Sequence, residues 1–167
     1  MSYHLVAPDN EVFNSKLEEF DFSDPAMDPI ELRQVLFDEM NSANGLGLSA
    51  NQLGLPYRVF IMRGNPSVVC FNPKITYYSE DHSVLPEGCL TYPGLYVKIR
   101  RPSMIRVRYT DEFGNLQTSK FSGITARCFQ HEMDHMDGIN FLHRAKKYHL
   151  DQARRKQKLF LRKLKRL

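Results

Sequence analysis

No apolar run in these 167 residues approaches the roughly 20 needed to cross a bilayer, and the opening MSYHLVAPDNEV has no basic flank followed by an apolar stretch. A protein with no membrane partner, which stays in the compartment where it is made, is expected. Cysteine is scarce: Cys70, Cys89 and Cys128 are an odd number at irregular spacings, which argues against a disulfide framework and for a reducing cytoplasm. Internal repeats and low-complexity segments are also missing, so repeat arrays and disordered linkers drop out. What remains is 42% hydrophobic and 25% charged, the make-up of an ordinary globule, at a length that suits one domain over residues 1–167.

Charge is placed unevenly. Residues 144–167 hold eleven Lys or Arg against Asp151 alone, leaving twelve bases against eighteen acids in the first 143 residues, so the net charge of +4 belongs to the tail. An anionic partner would be met there first. The tail YHLDQARRKQKLFLRKLKRL (148–167) sets Leu150, Ala153, Phe160 or Leu161, Leu164 and Leu167 along one stripe, which predicts a basic amphipathic helix.

Residues 1–28 are acidic and broken by Pro8 and Pro25, and read as an extended N-terminal arm with loops and at most one short helix. ELRQVLFDEMNSAN (31–44) spaces Leu32, Leu36 and Met40 four apart, a helix with one buried face that Pro29 opens and the following glycines close. Strands are expected at 57–62, 68–73, 95–99 and 104–111, with KITYYSED a further candidate and a turn at Gly114 and Asn115 leading into one more. SGITARCFQHEMDHMDG (122–138) returns to helical spacing, and INFLH (139–143) reads as a short extended piece. The predicted class is α+β: antiparallel sheets surrounding a central metal-binding helix, with the basic amphipathic helix at the C-terminus.

That central helix carries HEMDH (131–135). Side chains at i and i+4 share one side of a helix, so His131 and His135 can hold one ion while Glu132, one step round, reaches a water beside it. The bland alternative is two ordinary histidines. A catalytic site needs a third protein ligand and an open fourth position. No glutamate follows position 135, and Phe141 stands where the extended HExxHxxGxxH pattern needs a histidine, so the zinc endopeptidase pattern breaks. Cys89, in the constrained loop or strand edge LPEGCLTYPG, is one candidate; His143 and His149 lie downstream. A lone cysteine is more often a small buried hydrophobe, the reading kept for Cys70 and for Cys128, which sits one turn before the histidines and can line a pocket without touching the ion.

EGCL (87–90), QHEMDHMDG (130–138) and GLGLSANQ (45–52) together resemble the peptide deformylase family, in the same order and at comparable separations, over residues 31–143. GLGLSANQ itself lacks the closing Lys-Ser or Lys-Thr of a phosphate loop. The resemblance implies Cys89, His131 and His135 as metal ligands and Glu132 as catalytic acid and base. It turns the Gln52 side-chain amide and the Leu90 backbone N–H toward a substrate's formyl oxygen. Gly45, Leu46, Gly47 and Gly88 fall near a bound peptide running like an added strand. Leu46, Ile124 and Cys128 are apolar candidates for a side-chain pocket, with Arg127 beside them. Glu87 and Gln130 are expected to hold the loop or a ligand in place.

The implied activity is metal-dependent removal of the formyl group from N-terminal formylmethionine of nascent chains, with release of formate. The resemblance favours Fe(II) as the single divalent ion, whereas the ligand chemistry accommodates Zn, Ni or Co equally. The basic tail would then face the ribosome or its RNA, with no role for DNA, in the cytoplasm or in the translating compartment of an organelle or infected host. Two positions depart from the family pattern, Ser49 where alanine is common and Thr91 where serine is common, while at Arg127 some members are apolar and others have arginine. Two other readings stay open. One is another metal-dependent amidase or peptidase using the same ligands. The other is a ribosome- or RNA-binding protein with a structural metal, for which His143 is the nearest fourth ligand.

Overall fold

In this computed structural model, residues 2–167 are described. Helix α1 (Pro29–Ser42) starts where the Asp28 side chain accepts from the N–H groups of Ile30 and Glu31, with Pro29 filling the first turn. Leu32, Leu36 and Met40 form its buried face. The glycine-rich segment after it becomes strand β1 (Gly47–Ser49) and a short 3-10 turn (Ala50–Leu53).

Five antiparallel strands form one sheet in the order β1, β2 (Val59–Met62), β3 (Val68–Tyr78), β6 (Met104–Thr110), β7 (Leu116–Ser122). A separate hairpin pairs β4 (His82–Cys89) with β5 (Tyr92–Pro102). Helix α2 (Gly123–Met136) lies against β1, β2, β6 and β7 and also touches β5. All of VFIM in β2 is buried because the strand is covered twice. Val59 and Ile61 pack with α1, whereas Phe60 and Met62 join the cluster that contains Phe129 and Met136 of α2.

The C-terminal helix α3 (Lys147–Lys165) lies on β5. Ala153 is its one buried residue; Gln157 donates to the Pro93 carbonyl at 3.2 Å, and the Phe160 ring covers Gly94. Leu161, Leu164 and Leu167 are exposed beyond that contact. Among its described residues the arm contributes no helix. It crosses behind α2, with Leu17 N–H donating to the Met136 carbonyl, and inserts Phe13 into the cluster under the hairpin.

One local expectation is corrected. INFLH is not extended: Asn140 caps a 3-10 turn over Phe141–Arg144 by accepting from Leu142 N–H. LPEGCLTYPG, expected as a loop or strand edge, is a strand edge over its first half, the end of β4 in the two-stranded sheet. KITYY, in turn, continues β3 without a break. β4 and β5 pair one-to-one from His82↔Pro102 to Gly88↔Tyr96, then slip, so that Cys89 faces Tyr92. One step on β4 against four on β5 leaves Pro93, Gly94 and Leu95 without partners on β4 and re-aims the chain at Cys89.

Candidate metal centre

Helical spacing places His131 and His135 one turn apart on α2, with ring centroids 4.7 Å apart. The slip at the end of β4 brings Cys89 to them from the hairpin. Potential donor atoms of the three residues all lie within 4.8 Å of one another, and all three residues are buried. With metal–sulfur near 2.3 Å and metal–nitrogen near 2.0–2.1 Å, a tetrahedral angle separates S from N by about 3.6 Å. Cys89 Sγ and His135 Nε2 are 3.7 Å apart. One thiolate and two imidazoles at this spacing make a divalent metal-binding site.

Each imidazole has its other nitrogen occupied, which leaves Nε2 for the ion. His131 Nδ1 lies 3.0 Å from Glu87 Oε1; His135 Nδ1 lies 3.0 Å from Ser49 Oγ and 3.1 Å from Glu132 Oε2. Aromatic rings brace both histidines: Phe13 against His135 at 5.1 Å and Phe141 against His131 at 5.6 Å. His143, the nearest spare imidazole in sequence, accepts from Asn140 N–H and stands outside the donor cluster.

The electrostatics suit deprotonated sulfur. Burial alone would raise the Cys89 thiol, but the positive charge of His135 and hydrogen bonds from His131 and His135 bring it down to about 6. The Cys128 thiol moves the other way: desolvation, then the carboxylates of Glu132 and Glu87, push it well above its ordinary value. Burial also works against Glu87, yet hydrogen bonds from His131 and Arg101 and the Arg101 charge hold it at about 2. Arg101 then bridges to Asp134 at 3.0 Å, and Arg144 grips the same carboxylate at 2.7 Å.

A cavity of about 460 Å³ opens over the site between Gly45–Gly47 on one side and Pro86–Leu90 on the other. Glu132 and Gln52 both line it. Gln52 is orientated by Ser49, whose N–H donates to Oε1 at 3.0 Å, so the Gln52 amide nitrogen points to Thr91 Oγ1 at 3.1 Å and Cys89 Sγ at 3.6 Å. At Gly47 a Cβ would come within 2.8 Å of Cys128 Sγ and 2.9 Å of Glu132 Oε1. A glycine there lets the backbone approach the carboxylate.

The family model described as polypeptide deformylase matches residues 3–151. The chain belongs to the peptide deformylase family. A peptide deformylase of Wolbachia from Brugia malayi is 36% identical over 95% of this chain and 94% of its own length. Among solved structures, a peptide deformylase of Synechococcus elongatus in complex with actinonin superposes with TM-score 0.82 at 33% identity, covering 90% of this chain and 85% of that one. A Met-Ala-Ser-bound peptide deformylase of Acinetobacter baumannii gives TM-score 0.79 at 27% identity over 86% and 98%.

Set against the residues carried over from the deformylase motifs, the geometry brings nearly all of them to one place. Gly45, Leu46, Gly47, Gly88, Leu90, Ile124 and Cys128 line the cavity with Cys89, His131, Glu132 and Gln52, and His135 lies buried below. Arg127 is different. It touches the cavity wall, but its guanidinium donates to Glu87 Oε2 at 2.7 Å, to the Ile99 and Ser83 carbonyls at 2.9 Å and to Ser83 Oγ at 3.1 Å. It clasps the hairpin to α2 instead of presenting charge to the cavity. Gln130 donates to the Pro102 and Ala126 carbonyls and reaches no ligand. Sequence reasoning passed over Phe13, Asn51, Arg101 and Asp134, whose partners lie tens of residues away; Asn51 donates to the His135 carbonyl at 2.8 Å.

Proposed function

We propose that the chain, acting as a single catalytic unit, hydrolyses the N-formyl group of formylmethionine at the start of nascent polypeptides, releasing formate and a free amino terminus. What carries this reading is that Cys89, His131, Glu132 and Gln52 line one cavity between two free strand edges, with His135 buried below it beside Cys89. β1 ends the five-stranded sheet and β4 belongs to a two-stranded one, so an extended peptide can hydrogen-bond between them as an added strand. Leu46, Ile124 and Cys128 give the methionine side chain an apolar wall, together with the stem of Arg127. The tripeptide held by the Acinetobacter relative is the deformylated form of such a substrate.

A formamide is resonance-stabilised and its amine is a poor leaving group. A divalent ion held by Cys89, His131 and His135 supplies Lewis acidity and a nucleophile from water near neutral pH. Glu132 accepts the proton the attacking water loses and returns it to the nitrogen as the C–N bond breaks. The Gln52 amide and the Leu90 N–H donate to the formyl oxygen as negative charge develops there. Loss of one such donor costs about 3 kcal/mol, on the order of a hundredfold in rate.

Fe(II) is the ion proposed, with Zn, Ni or Co as substitutes of the same ligand class; oxygen sensitivity then follows from Fe(II) and from the Cys89 thiolate. The exposed cations of α3 are proposed to meet the ribosome or its RNA, in keeping with a protein that works where translation occurs. Replacing Glu132 with alanine tests the reaction. Formate release should fall by about a thousandfold with one metal per chain retained. Loss of metal together with activity would instead make Glu132 a support for His135.

A further inference from the structure

Ser49 is fully buried, and its hydroxyl lies 2.7 Å from Asn51 Oδ1, 3.1 Å from Gln52 Oε1 and 3.0 Å from His135 Nδ1. A hydroxyl has one hydrogen to give, and the two amide oxygens can only accept. The hydrogen therefore serves the amide oxygens, Asn51 being the nearer, and His135 Nδ1–H donates to Ser49 Oγ. Asn51 in turn donates from Nδ2 to the His135 carbonyl at 2.8 Å. This closes a ring from the imidazole through Ser49 and Asn51 back to the backbone of the same histidine.

The same Nδ1 lies 3.1 Å from Glu132 Oε2. One N–H thus has two acceptors of unlike freedom. Ser49 is held by the ring, and its own N–H is anchored on Gln52. Glu132 sits on the cavity wall, and among the described residues its carboxylate has no hydrogen-bond partner besides His135. His135 is only 1% exposed, so an Nδ1–H stripped of both acceptors would stay unsatisfied in the interior, and the ring would be free to turn away from the metal.

We infer that Ser49 is a positioning residue of the metal centre: its hydroxyl is the standing acceptor for His135 Nδ1–H, and this releases Glu132 from that contact to carry a proton. The part given to Glu132 rests on the deformylase reading; the sharing of His135 Nδ1–H does not.

The test is Ni(II) affinity of the full-length protein, measured by competition with a chromophoric chelator. Glu132→Ala removes charge and acceptor together, whereas Glu132→Gln removes the charge and keeps an acceptor oxygen. With Ser49 in place the two variants should bind Ni(II) alike, because Ser49 holds the imidazole. On the Ser49→Ala background the Glu132→Ala protein should bind 10- to 100-fold more weakly than the Glu132→Gln protein, the usual cost of losing a ligand's outer partner. Melting temperatures of the metal-free proteins should separate in the same order, and this readout survives if the double alanine variant folds poorly. Ser49→Ala alone should lower kcat for formate release severalfold at unchanged KM, as Glu132 becomes the sole acceptor. Equal Ni(II) affinity of the alanine and glutamine variants on both backgrounds would overturn the sharing. Absence of formate release from the unaltered protein, with the affinity pattern intact, would overturn the deformylase reading alone.

Discussion

Replacing Glu87 with glutamine changes little in volume but removes the anion that holds His131, Arg101 and Arg127 together. Glu87 accepts from Arg101 at 2.6 and 2.9 Å, from Arg127 at 2.7 Å and from His131 at 3.0 Å. Its side chain is 4% exposed. A carboxyl brought from 4.5 to about 2 corresponds to about 3 kcal/mol of stability. That agrees with the roughly 3–5 kcal/mol lost when one partner of a buried ion pair is removed. For a chain of this size the melting temperature should drop by about 10 °C. Because the folded carboxyl is depressed, its contribution is complete above about pH 4.5 and is lost as pH falls through about 2. Urea unfolding of metal-free protein and of the Glu87→Gln variant should therefore differ by about 3 kcal/mol at pH 7 and by less than half of that at pH 3. A gap under about 1 kcal/mol at pH 7, or the same gap at both pH values, would refute this account of the ion network.

Three further outcomes follow. In the metal-free site Cys89 titrates at about 6, whereas burial, which would lower the imidazoles, is outweighed for His131 and His135 by hydrogen bonds and charges from Cys89, Glu87 and Glu132, putting them at about 10 and 9. At pH 7.5 both imidazoles must shed a proton to ligate, so calorimetry in buffers of different ionisation heat should find about two protons released per metal and affinity rising with pH up to about 10, where His131 titrates. Gly47→Ala pushes a methyl against Cys128 and Glu132; formate release should fall tenfold or more while Ni(II) still binds, and Cys128→Ala added to it should recover part of the loss. Changing Arg154, Arg155, Lys156 and Lys158, all exposed on α3, to glutamine should reduce the salt slope of ribosome co-sedimentation by about three, with formate release untouched.

The helical half of the site was legible because its information is local. The spacing of His131 and His135, and the stripe of Leu32, Leu36 and Met40, fix a face without knowledge of any partner. The position of Cys89 was legible only as a motif. Pro86, Gly88, Pro93 and Gly94 break any strand pattern in LPEGCLTYPG, and it is the pairing of Gly88 with Tyr96, whose ring would meet a Cβ at 2.6 Å, that makes a strand of it. INFLH lacks the length for a periodicity, and the Asn140 cap decided its form. The network of Glu87, Arg101, Arg127 and Asp134 joins three elements through contacts 10 to 44 residues apart, a distance at which hydrophobic period carries nothing. Arg127 accordingly looked like a pocket residue, while its guanidinium belongs to that network. Ser49 stood out only as a small departure from a family pattern, and its role depends on a histidine 86 positions away.

The central claim is most directly tested by following two products at once from protein purified anaerobically with Fe(II): formate from N-formyl-Met-Ala-Ser, and free methionine from Met-Ala-Ser. Rapid formate release with no free methionine is the predicted result. Free methionine without formate would leave the metal centre standing and contradict the deformylase assignment, making the chain a peptidase.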